Sequence, residues 1–494
     1  MTGGLYPNGS RTKERPVPWL RRFRASHHGR LAHPGRRPRP GPRRRSDSPQ
    51  GYGWQNLRKK QPATDNTVFP IASITKSFTT TLLGMLVDEG KLDWDKPVRD
   101  FMPEFSLFDP VASERVTPRD LVCHRTGLPR HDNMWDFTEF TRREIFARLR
   151  HLQPSRDLRA AYQYNNLMYM AAGVLVETLT GMGWEQNLRE RIFKPLGMSS
   201  TYPILPDVLG HPRLATPYLE RDGRVVPVAP KDFQSCGPAG TICSSAADMI
   251  RWVQLQLRRG KWGRRRLISE ENLAQIHSPA TVIPGPYPWP EIPMSAYALG
   301  WMVSVYRGEK RVMHNGAIDG FRTVASFMPE RNWGLVVLTN KHDHPAQHVI
   351  EYQIYDRLLG MDPVSWNRRL KRQWADAKNK AAKERRKKAA AIRKGTRPTR
   401  PLHEYAGRYV HAGYGPLEIA REGGGLAITI GKFTAPMVHR SYDSWQFHEE
   451  IWNNDYTATF QDDSSGRIVR VAVPLEPNVS PIIFEREKPD ERKN

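Results

Sequence analysis

Cysteine is scarce. Cys123, Cys236 and Cys243 are the only three in 494 residues, too few for a disulfide framework, and no second Cys or His cluster has metal-site spacing. No metal or other cofactor is expected. Long apolar runs are lacking too: the longest, near Tyr169 to Val176, is far short of the roughly 20 residues that cross a bilayer, and the start of the chain has no apolar signal-peptide core. As written, the chain reads as having no transmembrane segment and no secretion signal, and its compartment stays open. Net charge is +25, but residues 1–60 hold +14 and residues 368–400 hold +13, so the rest is near neutral. Basicity spread over a fold would point to nucleic acid. Confined to a tail and a linker it does not, and no nucleic-acid partner is expected.

What is present supports a sizeable core, with 38% hydrophobic and 10% aromatic residues. Residues 1–50, rich in Arg, Pro and Gly, read as a disordered basic tail whose composition fits a misread start. Residues 51–365 read as the main domain. Helices are predicted at Arg142 to His151, Asn165 to Thr180, Trp184 to Phe193 and Ser244 to Arg259. From Leu299 the period switches to two, and four antiparallel strands between Gly300 and Thr339 lead to a helix over Gln347 to Leu359 that covers one sheet face. Residues 366–400 form a basic helical linker. Residues 401–494 carry eight strand candidates, near Tyr409, Ile419, Ile428, Val438, Phe447, Thr457, Val471 and Ile483, and read as a small β-barrel or sandwich. The fold class is therefore α+β, an antiparallel sheet with helices, followed by an all-β unit.

The chemistry centres on Ser73-Ile74-Thr75-Lys76, at the start of a helix predicted from Ser73 to Glu89 and capped by Gly90. Residues three apart on a helix share a face, so the Lys76 amine can reach the Ser73 hydroxyl. Unpaired backbone N–H groups in the first turn favour a developing alkoxide. The same Ser-x-x-Lys pattern at Ser10 to Lys13 has no helical periodicity and is set aside. Two further stretches add to it. Tyr162 to Tyr169 is a polar aromatic turn opening an apolar helix, which serves either as a cap at Asn165 or to hold Tyr164 near a cation that lowers its pKa for proton relay. His314 to Gly320 follows a strand, where Gly316 lets a ligand approach the backbone and the Ala317 N–H can join that of Ser73 as an oxyanion hole. Its bland alternative is a hairpin turn. Among the other histidines, His124 and His131 show no trustworthy spacing to a serine.

In that order, Ser73-x-x-Lys76, Tyr164-x-Asn166 and His314-x-Gly316 resemble the penicillin-recognising serine hydrolases, which include class C β-lactamases, D-alanyl-D-alanine peptidases and related esterases. The segment from Pro401 looks like the lipocalin-like domain attached to some of these peptidases. The resemblance implies a sheet flanked by helices plus an all-helical lobe, with the active site between them. It makes Ser73 the acylated nucleophile, Lys76 its base, Tyr164 the proton shuttle and Asn166 the holder of the substrate's amide carbonyl. The N–H groups of Ser73 and Ala317 would stabilise the oxyanion. His314 stands where β-lactamases usually carry a lysine and would face the substrate from an edge strand, giving selectivity that follows the imidazole pKa. The expected partner is a small peptide, ester or β-lactam-like substrate, with a homo-oligomer left open. A β-lactamase, an esterase and a D-peptidase are the rival enzymes. A silent binding scaffold and a basic nucleic-acid binder are the rivals from other classes.

Overall fold

A computed structural model describes residues 49–487, apart from 222, 391, 394, 451 and 452. The reading of the first 48 residues as a disordered tail lies outside the described residues. Strand Val68–Pro70 pairs antiparallel with Cys243–Ser245, and Pro70, with no N–H to donate, closes it. The chain then turns through Ala72 at φ +48°, a left-handed conformation that costs a non-glycine residue roughly 1–2 kcal/mol. A 3₁₀ turn over Ala72–Ile74 runs straight into the helix Thr75–Asp88, so Ser73 sits in the tight turn before the helix and not in its first turn. Gly90, at φ +70°, ends it as expected.

The expected apolar stripe of that helix, Phe78, Leu82, Met85 and Leu86, is buried, and so is the threonine side, Thr79, Thr80 and Thr81. Two of the three hydroxyls are satisfied there: Thr79 Oγ1 donates to Pro238 O at 2.7 Å and Thr81 Oγ1 to Ser77 O of its own helix at 2.8 Å. The helix is thus central, enclosed by the Asn166–Thr180, Gly237–Gly240 and Glu270–Ile276 helices and stacked through Phe78 on Trp252 at 3.8 Å. Asn165 caps its own helix, accepting from the Met168 N–H at 2.9 Å.

The sheet has six antiparallel strands in the order Trp333–Thr339, Phe321–Met328, Glu309–Ile318, Met302–Tyr306, Ser295–Tyr297 and Thr281–Val282. The last two precede the expected start at Leu299. They are short and lie among prolines, where alternation cannot be read. Side chains of Phe321–Met328 alternate between two cores: Ala325 and Phe327 join the one with Trp252, and Val324 and Met328 join the one with Tyr352 and Tyr355. Helices Ala246–Leu257 and Ala346–Leu358 therefore cover both faces, giving the expected sheet flanked by helices. The strand bearing His314 is third in the order, but beyond Met313 it pairs on one side only, so from His314 to Ile318 it forms an edge.

Helix Trp366–Ala390 leads to a closed eight-stranded antiparallel barrel, Gly407–His411 through Ile482–Arg486, sealed by pairing of its first and last strands. Each of the eight sequence candidates falls in one of these strands. Inward residues such as Tyr409, Ile428, Phe447, Phe460 and Phe484 are buried and fill it. Among the described residues, no helix is long and apolar enough to cross a membrane, and no three His, Cys, Asp or Glu side chains group to hold a metal.

Candidate active site

Lys76 is fully buried, and its Nζ lies 3.1 Å from Ser73 Oγ, 2.8 Å from Asn166 Oδ1 and 2.7 Å from Ala239 O. Burial is the main cause that brings its pKa down to about 7; Arg130 lowers it further, while Cys236 and Asp132 oppose. Two of the three partners are carbonyl oxygens, which only accept. A neutral amine has two hydrogens for them, which leaves its lone pair for Ser73. The Asn166 amide is oriented by Asp132, whose Oδ1 accepts from Nδ2 at 2.9 Å and so turns Oδ1 of Asn166 toward Lys76. Asp132 is held in turn by Trp135 Nε1 at 2.9 Å and by Arg130 Nε at 2.5 Å.

Tyr164 borders the same point, its phenol close enough to Ser73 to interact with the hydroxyl. Its ring lies 4.9 Å from Lys76 Nζ and 5.1 Å from the Arg130 guanidinium. The expectation that a cation lowers its pKa is overturned. Burial pushes the phenol up and outweighs Arg130, so at neutral pH it is a neutral hydroxyl. The His124 ring packs 4.2 Å from that of Tyr164 and 4.3 Å from that of Tyr297. Its Nδ1 accepts from the Asn165 N–H at 3.1 Å, and burial holds its pKa well below the ordinary range.

His314 lies where the strand's open edge begins, but its side chain is turned inward. It is 1% exposed, its Nδ1 donates to Asn315 O at 2.7 Å, and its Nε2 accepts from the Tyr297 hydroxyl at 2.9 Å. Burial, helped by Lys76, brings its pKa to about 3. It is a neutral structural imidazole below the site, and the expected pH-dependent selectivity has no group to produce it. Gly316 is needed for a reason other than ligand access. A Cβ there would stand 2.2 Å from both Ile71 O and Thr323 Oγ1, because the turn carrying Ser73 lies directly on this strand. Ala317 follows on the same strand. From His314 to Ile318 the ladder has a partner on one side only, which leaves the other edge open near the turn.

Residues 43–358 match the family described as Beta-lactamase, and residues 391–486 match a domain of unknown function, DUF3471. The chain belongs to the β-lactamase family. The hydrolase is 33% identical to "Unguisins hydrolase ungD'" of Aspergillus campestris over 75% of this chain and 71% of that protein. It is 30% identical to "Unguisins hydrolase ungD" of Aspergillus violaceofuscus over 87% of this chain and 80% of that one. Among solved structures, the octameric penicillin-binding protein homologue from Pyrococcus abyssi superposes with a TM-score of 0.56 at 23% identity. It covers 88% of this chain and 92% of that one and shows a shared fold.

Several groups around Lys76 in this β-lactamase-family hydrolase carried no sequence signal. Arg130 and Asp132 follow the Gly127-Leu128-Pro129 turn, and nothing in their spacing points to an asparagine 34 residues away. Ala239 contributes a backbone oxygen, which composition cannot register. His124 was visible as a histidine, but its contacts are with rings that other elements bring in.

Proposed function

We propose that this hydrolase cleaves an amide bond of a small peptide-like substrate through an acyl-enzyme on Ser73. The observation that carries the reading is Lys76, an amine with a pKa near 7 placed 3.1 Å from the Ser73 hydroxyl. Neutral Lys76 takes the Oγ proton as Oγ bonds to the substrate carbonyl carbon. The negative charge that moves onto the carbonyl oxygen is met by the N–H groups of Ser73 and Ala317. As the tetrahedral species collapses, the C–N bond breaks, and the leaving nitrogen takes a proton delivered through Tyr164 from Lys76. Water then attacks the ester with the same groups in reverse. Asn166 Nδ2 has a second hydrogen beyond the one on Asp132, which suits it to the substrate's amide carbonyl. The names of the Aspergillus relatives support hydrolysis as the reaction type.

A neutral fluorophosphonate should label Ser73, and Ser73→Ala should abolish the label, read by mass spectrometry of the modified peptide. An intact protein that never labels, or a variant that labels equally elsewhere, would favour the scaffold reading.

A further inference from the structure

Beside the Ser73 turn lies a narrow cleft. Pro70 and Gly240 place it: Pro70 precedes the turn, and a Cβ on Gly240 would come within 3.8 Å of the Ala72 carbonyl carbon. Phe233, Ile318 and Phe321 make an apolar wall, and Asp319 completes it, two residues beyond Ala317. Asp319 is 2% exposed, yet among the described residues neither carboxylate oxygen has a hydrogen-bond partner. A buried carboxylate in that state costs several kcal/mol unless something meets it. Lys231, which also lines the cleft, is ion-paired with Asp136. Asp136 and Glu449 add negative potential at Asp319, and with burial as the larger cause its pKa rises to about 6 despite Lys231. The cleft therefore combines an apolar wall, negative potential and an acceptor pair without donors.

We propose that this cleft is a substrate subsite that takes a primary ammonium group carried on an apolar residue, with Asp319 as its acceptor. As a substrate subsite it rests on the acyl-enzyme reading of Ser73, since the cleft lies beside the turn that carries that serine. An ammonium brings up to three donors and the missing countercharge, and its apolar neighbour fills the wall. The α-amine of an amino-acid amide and the side-chain amine of a lysine-like residue share this chemistry.

The test is calorimetry on the full chain with phenethylamine and with 2-phenylethanol, its neutral counterpart. The amine should bind at least tenfold more tightly, and Asp319→Asn should reduce that preference to less than threefold. The comparison of amine with alcohol on the native protein needs no variant to fold. Equal binding of the two, or a preference that survives Asp319→Asn, overturns the proposal. Turnover of phenylalanine p-nitroanilide with a free α-amine against Nα-acetyl-lysine p-nitroanilide then tells which amine the cleft takes. Fluorophosphonate labelling of Ser73 is read in parallel. Labelling without amine preference removes the subsite alone, whereas amine preference without labelling removes the acyl-enzyme reading and leaves a binding cleft.

Discussion

At Lys76, one number links burial to chemistry. A lysine at its ordinary 10.5 is almost wholly protonated at neutral pH and has no lone pair to offer, whereas at about 7 half of the molecules hold a base. The rate of Ser73 labelling should rise about tenfold per pH unit below 7 and flatten above it, measured between pH 5 and 9. A profile without a limb near 7 removes Lys76 as the base. The same shift bears on stability. Between about 7 and 10.5 the unfolded chain holds a proton that the folded chain has released, so stability contributed at this position rises with pH through that window. The melting temperature of Lys76→Met, relative to native, should accordingly fall as pH is raised from 7 to 10 and be constant below 7. His314 supports the opposite kind of statement. With both ring nitrogens engaged and Lys76 depressing its pKa, a second amine there has no acid to meet it. His314→Lys should cost roughly 3–5 kcal/mol, typical of an uncompensated buried charge, seen by denaturant unfolding. It should not improve turnover of acidic substrates.

The elements that hold these residues meet at close quarters. The Glu309–Ile318 strand and the turn carrying Ser73 approach until Gly316 has no room for a methyl group, since both atoms it would strike belong to backbone or to a threonine already bonded to Ile71 O at 3.0 Å. Gly316→Ala should therefore shift the turn. Overpacking costs typically 1–3 kcal/mol, and a misplacement of about 1 Å can cost on the order of 100-fold in rate. We expect the labelling rate to fall at least tenfold while the protein still unfolds cooperatively, compared by stopped-time labelling and calorimetry. An unchanged rate would mean that the close approach does not position Ser73. Elements of this kind were unevenly legible. The helices after Ser73 and Asn165, the four later sheet strands and all eight barrel strands followed from periodicity and turn residues. The strands at Thr281–Val282 and Ser295–Tyr297 did not, because runs of two and three residues hold too few positions to show a period.

Across the whole molecule, the barrel grips the segment that orients the site. Glu476, from the barrel, accepts the His131 N–H at 2.9 Å, Tyr414 bonds His131 Nδ1 at 2.9 Å, and Leu475 O accepts from Asn133 at 2.9 Å. Phe137 stacks on Phe433 at 4.2 Å. Arg130 and Asp132 lie between or beside these anchors, and Asp132 is what turns Asn166 toward Lys76. Glu476 is thus placed to position the site. Glu476→Ala should lower kcat severalfold with little change in KM and cost about 1–3 kcal/mol of stability from the donors left unmet. Glu476→Gln, which keeps one acceptor oxygen, should recover most of both. Equal losses in the two variants, or a loss in stability with kcat intact, would make the contact purely structural.

Local spacing was enough to pair Ser73 with Lys76, although the 3₁₀ turn before the helix, and not the helix itself, carries the serine. It was enough for the barrel strands as well, because alternation of apolar and polar residues is recorded in the chain itself. The protonation states were not accessible in this way. Lys76 at about 7, His314 at about 3 and the raised Tyr164 phenol are set mainly by desolvation, a property of whatever packs around a group. The groups that do the packing, Ala239 and Asp132 around Lys76 and Tyr297 over His314, lie from 17 to 163 residues away from the group they cover along the chain. Distance in sequence and distance in space are unrelated once a chain has folded, so the Ser73–Lys76 pair was legible in the chain while its electrostatics and supports came from packing.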